Sequence, residues 1–354
     1  MRALLRAALL SCLLFLSQAV TAAVSLQVTS DRELPSSLPE GSRPRDLRWA
    51  SGSEIYLSLG PKGAVRLPVA ATAPQKGVMP PADKGGFFLS GPIAVATRDL
   101  IVASPFGGFA WISLQPGSGN TIHQKGLANI MDIDAREDSV AILGADSGPV
   151  RGLASDGAIA WTGTLSRGLK DMRPLMKGRS SPGGKDMARC AFLETGAIRF
   201  MPDGSLVVLP GTEPGVYRYD SKGKLIQTWD TAPLGIVDDC AIDDRRLDVL
   251  AADFAMRTEW LASRVTVDDI LPLPEGPALL LRRVVKGVTT FEMVTLPFRG
   301  KSERIAVPVT VPTPRGHLRG DLRGDQLALL AYDAPLPKQK PGAPTRVVVL
   351  SIRR

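Results

Sequence analysis

The side chains best able to do chemistry in this chain are paired carboxylates. Asp132 and Asp134 flank Ile133, and Asp238-Asp239, Asp243-Asp244 and Asp268-Asp269 are adjacent pairs. They lie near the starts of short segments that read as strands. Carboxylate oxygens brought together from several segments bind a hard cation such as Ca2+, or serve as a general acid and base. Asp132, Asp134, Asp238, Asp239, Asp268 and Asp269 are therefore the candidate metal ligands. Aspartates near turns also accept hydrogen bonds from backbone N–H groups, so a purely structural role is open for each of them.

A second candidate is basic. Residues 167–189 read RGLKDMRPLMKGRSSPGGKDMAR, rich in Gly, Ser and Pro and poor in apolar residues. Loops held by a rigid frame carry function, which makes Lys170, Arg173, Lys177, Arg179, Lys185 and Arg189 candidate ligand-binding residues. The alternative is an exposed loop without a ligand. The two histidines, His123 and His317, sit near turns and read as solvated loop residues. No G-x-S-x-G elbow, H-E-x-x-H helix, phosphate loop or EF-hand loop occurs. No catalytic residue is assigned. Cys190 and Cys240 form either one disulfide or two buried thiols, because geometry decides whether their Cα atoms come close enough.

The elements that must position these groups are strands. Residues 197–230 read AIRFMPDGSLVVLPGTEPGVYRYDSKGKLIQTWD. Four runs of four to six residues, rich in Val, Tyr and Trp, are separated by Asp-Gly, Pro-Gly and Lys-Gly turn signals. One such antiparallel sheet cannot bury both faces and needs neighbours of its own kind. The pattern recurs, with first turns near Gly52, Asp99, Asp138, Gly204, Arg246, Gly276 and Gly324. The copy at residues 236–262 is the least regular. A repeat of about forty residues built from short strands matches a propeller blade. The fold expected is all-β: a single β-propeller of four-stranded antiparallel blades, seven blades favoured and six the alternative. Residues 24–28 and 346–352 are the strands expected to close the ring. Trp49, Trp111, Trp161, Trp229 and Trp260 occur about once per blade and are expected to pack between blades.

The run GVYRYDSKGKLIQTW resembles the outer half, and RFMPDGSLVVL the inner half, of a blade in exported bacterial propellers with NHL-like, six-bladed or YVTN-like repeats. The resemblance spans about residues 46–353. It implies architecture, not activity, since such propellers serve as binding modules, scaffolds, lyases and hydrolases. The Gly-His and Trp-Asp pairs of WD40 blades are not repeated.

Residues 1–22 carry Arg2 and Arg6, then a short apolar run, then Val20-Thr21-Ala22. This is the layout of a signal peptide cleaved after Ala22, followed by an N-terminal strand and linker at 23–45 and the propeller at 46–354. No later segment is long and apolar enough to span a bilayer. The chain of 354 residues carries a formal charge of +8 and 44% hydrophobic residues, which excludes disorder and suits a solvated surface. A periplasmic or extracellular monomer is expected, with a protein, peptide or acidic glycan as partner and no nucleic acid. The function read from these features is non-enzymatic binding or scaffolding. The alternative is a metal-assisted hydrolase, lactonase or lyase using channel-facing carboxylates.

Overall fold

The computed structural model describes residues 24–34, 38, 42–50, 53–60, 63–69, 91–97, 99–103, 109–114, 121–124, 130–144, 150–154, 157–163, 196–210, 215–236, 244–334 and 339–353. Within them the strands group into six antiparallel sheets, each a blade of a β-propeller.

Blade one holds β2 (Asp46–Trp49), β3 (Glu54–Ser58) and β4 (Ala64–Pro68), three strands among the described residues. Blade two is β5 (Ile93–Val95), β6 (Asp99–Ala103), β7 (Phe109–Ser113) and β8 (Thr121–Gln124). Blade three is β9 (Ile130–Arg136), β10 (Ser139–Gly144), β11 (Val150–Leu153) and β12 (Ile159–Gly163). Blade four falls within residues 197–230: β13 (Ala197–Phe200), β14 (Leu206–Leu209), β15 (Val216–Tyr219) and β16 (Leu225–Trp229). Its Asp-Gly and Lys-Gly turns place Gly204 and Gly223 at φ of 84° and 80°, the left-handed region that glycine enters without a Cβ clash. Blade five is β17 (Thr266–Leu273), β18 (Gly276–Val285), β19 (Val288–Thr295) and β20 (Arg304–Val311).

Blade six joins the two ends of the chain. β21 (Gly316–Arg323), β22 (Gln326–Asp333) and β23 (Arg346–Arg353) are completed by β1 (Ser25–Glu33), which pairs antiparallel with β23 from Ser25↔Arg353 to Glu33↔Arg346. The closure strands expected from the termini therefore do pair. β1 covers what would otherwise be the exposed edge of β23.

The core is distributed among the gaps between blades. Six apolar clusters of buried residues each draw on two neighbouring blades, including the gap between blades six and one. β22 shows how one strand serves two gaps. Leu327, Leu329 and Ala331 face blade five, while Ala328 and Leu330 face blade one. A strand buried on both faces reads as a continuous apolar run, because alternation with solvent has nothing to record.

The expectation of seven blades is corrected to six. The irregular copy at 236–262 is not a blade. It forms α1 (Asp244–Ala252) and α2 (Phe254–Ala262), after a 3-10 turn at Ala232–Leu234. No Gly or Pro interrupts 236–262, and Asp253 caps α2 by accepting a 3.0 Å hydrogen bond from the Met256 N–H. Trp260 accordingly sits on a helix. Trp49 and Trp111 are buried in gaps between blades, and Trp161 and Trp229 pack against two further gaps. No helix among the described residues is long and apolar enough to cross a membrane. Residues 1–22, the basic stretch 167–189, Asp238, Asp239, Asp243, Cys190 and Cys240 lie outside the described residues.

Candidate functional site, the charged channel and its mouth

Each blade contributes its first strand to the central channel, in the order β2, β5, β9, β13, β17, β21. Aspartates on these strands reach across to the next blade. Asp46 Oδ2 accepts from the Ile93 N–H at 2.9 Å, and Asp132 Oδ2 from Ile198 at 3.0 Å. Asp134 Oδ2 accepts from Phe200 at 2.7 Å, Asp268 Oδ2 from Leu318 at 2.8 Å, and Asp269 Oδ2 from Gly320 at 2.9 Å. Asp321 Oδ2 accepts from Trp49 at 2.6 Å and so links the last blade to the first. In four of these the second oxygen accepts the N–H of the following residue: Leu47, Ile133, Ile270 and Leu322. First strands of neighbouring blades do not pair with one another, and these carboxylates satisfy N–H groups on them instead.

Three arginines interleave with the carboxylates. Arg199, 1% exposed, donates from Nη1 to Asp132 Oδ2 at 2.8 Å and from Nη2 to Asp269 Oδ1 at 2.5 Å. Arg48, 2% exposed, donates from Nη1 to Asp46 Oδ1 at 2.7 Å, and its Nη2 lies 3.8 Å from Asp132 Oδ1. Arg319, on β21, is held strongly protonated by Asp269, Asp132 and Asp46, against the cost of burial. The candidate ligands Asp132, Asp134, Asp268 and Asp269 lie on the first strands β9 and β17, and each is already paired with amides or cations. Among the described residues no group of three or more His, Cys, Asp and Glu side chains is arranged to hold a metal ion.

The electrostatics divide these carboxylates. Burial pushes Asp132 upward, but Arg199, Arg319, Arg48 and the Ile198 amide outweigh it and hold the group below the ordinary carboxylate range. Burial wins at Asp46 and at Asp321, and both are raised. Burial also dominates at Asp134, where Arg199 and Arg48 compensate only in part and Asp321 opposes them, so the carboxyl is raised to about 6.

At the end of the channel where the first strands finish, the walls open into a cavity of about 410 Å³. Arg48, Arg136, Arg199, Asp134 and Asp321 supply its charge, and Trp49, Phe200, Pro202, Pro272 and Pro274 its apolar surface. Its volume falls within the range of small-ligand sites, about 300–1,000 Å³. Arg48 Nε lies 3.9 Å from Asp134 Oδ1. Among the described residues, neither Arg48 Nε nor Arg199 Nε has a hydrogen-bond partner.

The opposite end, where β17 and β21 begin, holds His317. It is not a solvated loop histidine: it is on β21, half-buried, with Nδ1 3.4 Å from Asp268 Oδ1 and its ring stacked on Tyr332 at 5.4 Å. Burial and then Arg282 push its pKa down. Burial pushes Asp268 up, but His317, Arg282 and the Leu318 amide bring it below the ordinary range. His123 lies on β8 opposite Ala110.

Asp46, Arg48, Arg199, Arg319 and Asp321 are the channel residues that sequence reading missed. The available signal was a charge inside an apolar strand next to a turn: D-L-R at 46–48, A-I-R-F at 197–200 and R-G-D at 319–321.

No protein-family model matches the chain, and no curated protein sequence is similar to it. Solved structures do resemble it. The WD40 repeats of RRP9 superpose with a TM-score of 0.51 at 10% identity, covering 93% of this chain and 100% of that one. A streptogramin B lyase gives 0.49 at 10% identity, with 92% and 98% covered. The likeness is one of fold. With the six sheets, the likeness to the RRP9 repeats places the chain among β-propellers and says nothing of activity.

Proposed function

We propose that this chain is an exported, non-enzymatic β-propeller that binds a protein, peptide or glycan partner at the mouth of its channel. One observation carries the reading: a cavity with apolar walls ends on two buried guanidinium groups, each with an Nε–H lacking a hydrogen-bond partner among the described residues. A rigid frame with a few convergent polar groups is the usual form of a binding site. The blade resemblance to NHL-like and YVTN-like repeats, and the signal-like residues 1–22, support the exported assignment. Mass spectrometry of the mature protein is expected to give an N-terminus at Ala23.

The metal-assisted alternative is less well supported. Asp132 and Asp269 already accept from amides and from Arg199, and a cation would have to displace that guanidinium. A thermal-shift and calorimetry screen with peptides, oligosaccharides and divalent cations separates the two. Stabilisation by an organic ligand in the presence of a chelator is expected. Stabilisation by Ca2+ alone, together with hydrolytic turnover, would reverse the assignment.

A further inference from the structure

The proposed binding site can be assigned a ligand class, an inference that rests on the binding reading above. The Nη groups of Arg48 and Arg199 are engaged by Asp46, Asp132 and Asp269. Their Nε–H groups are left over and call for an acceptor. Asp134 uses Oδ2 for the Phe200 amide. Its Oδ1 faces Arg48 Nε across 3.9 Å, too far for a direct hydrogen bond. The group that fits here accepts from a guanidinium N–H and donates to a carboxylate.

That demand sorts the chemistries. A carboxylate accepts but cannot donate, a phosphate keeps at most part of one proton near neutral pH, and either one placed at this position would set negative charge directly against Asp134 Oδ1. An ammonium donates but leaves both Nε–H groups without an acceptor. A peptide amide does both, but its C=O and N–H point in opposite directions across a planar trans bond, so one amide cannot turn both toward groups this close together. A hydroxyl does both from a single oxygen. Trp49, Phe200, Pro202, Pro272 and Pro274 supply apolar surface for carbon-bound hydrogens.

We propose that the mouth cavity takes a neutral, hydroxyl-rich ligand, a free sugar or the terminal residue of a neutral glycan, with one hydroxyl bridging Arg48 Nε and Asp134 Oδ1.

The test is calorimetric titration of the full mature chain at pH 7.5. The panel holds neutral methyl glycosides, neutral oligosaccharides, the matching uronates and amino sugars, and capped peptides. Neutral sugars are expected to bind, with uronates and amino sugars at least about tenfold weaker. Equal affinity for methyl glycosides and oligosaccharides marks a free-sugar site, and a gain with chain length marks a glycan terminus; either supports the proposal. Asp134→Asn turns an ionised acceptor into an amide and is expected to weaken neutral sugars about tenfold, in a variant that still melts cooperatively. Peptides or uronates binding more tightly than neutral sugars would overturn the sugar assignment and leave the binding role standing. Neutral-sugar affinity unchanged by Asp134→Asn would do the same. A panel in which no organic ligand binds would remove both, leaving a channel mouth filled by water alone.

Discussion

Replacing Asp134 by Asn tests the electrostatic reading of the channel most directly. Asp134 is 9% exposed and its carboxyl is raised to about 6. In the unfolded chain the same group loses its proton near pH 4. Between those values the folded state binds more protons than the unfolded one. Stability from this residue is therefore highest below about pH 4 and declines as pH rises to 6, the opposite of a salt-bridged aspartate. The gap between the ordinary value of 3.8 and about 6 corresponds to about 3 kcal/mol. Asn keeps an acceptor for the Phe200 N–H and does not titrate. Urea unfolding followed by tryptophan fluorescence, for both proteins between pH 4 and 8, isolates the effect. The stability of Asp134→Asn relative to the wild type is expected to improve by about 3 kcal/mol across that range, with the change centred between pH 4 and 6. A difference that stays constant with pH would refute the argument. It would mean that Arg48 and Arg199 compensate the carboxylate fully.

Other perturbations follow from the same geometry. Arg199→Met leaves Asp132 and Asp269 buried without their shared cation and is expected to cost about 3–5 kcal/mol in urea unfolding; adding Asp269→Asn is expected to recover part of it. Removing residues 23–34 uncovers the edge of β23 and takes away the partly buried Leu26 that packs against the core. The loss expected is about 2–4 kcal/mol, with self-association on size-exclusion chromatography as the bare edge seeks a partner. Gly276→Ala places a Cβ 2.4 Å from the Leu296 carbonyl oxygen at a φ of 147°. Its expected cost is about 1–3 kcal/mol, read as a lower melting temperature with the fold retained.

The repeat pattern made much of the architecture legible. Blade four needed only local information, since Pro-Asp-Gly and Ser-Lys-Gly specify tight turns and Val-Val, Tyr and Trp specify strands, whatever lies around them. The closing pair of strands was legible for the same reason. The helical hairpin was not: residues 244–262 combine helix-forming composition with apolar runs that also fit short strands, and rhythm alone assigned them to a seventh blade. The geometry of six gaps, each filled from two blades, decided the count.

The site divides along the same line. Sequence alone determined that paired carboxylates belong to short strands, because residue type and spacing are local properties. Only the tertiary structure decided what they face. Asp132 meets Arg199 across 67 positions of sequence, and Asp321 meets Trp49 across 272. Ring closure brings such residues together, and a guanidinium placed between two carboxylates turns a set of candidate metal ligands into the frame around a cavity. Arg199 stands in the short run A-I-R-F, and nothing local says what it faces. In a propeller, the side of a first strand that water would occupy is the channel.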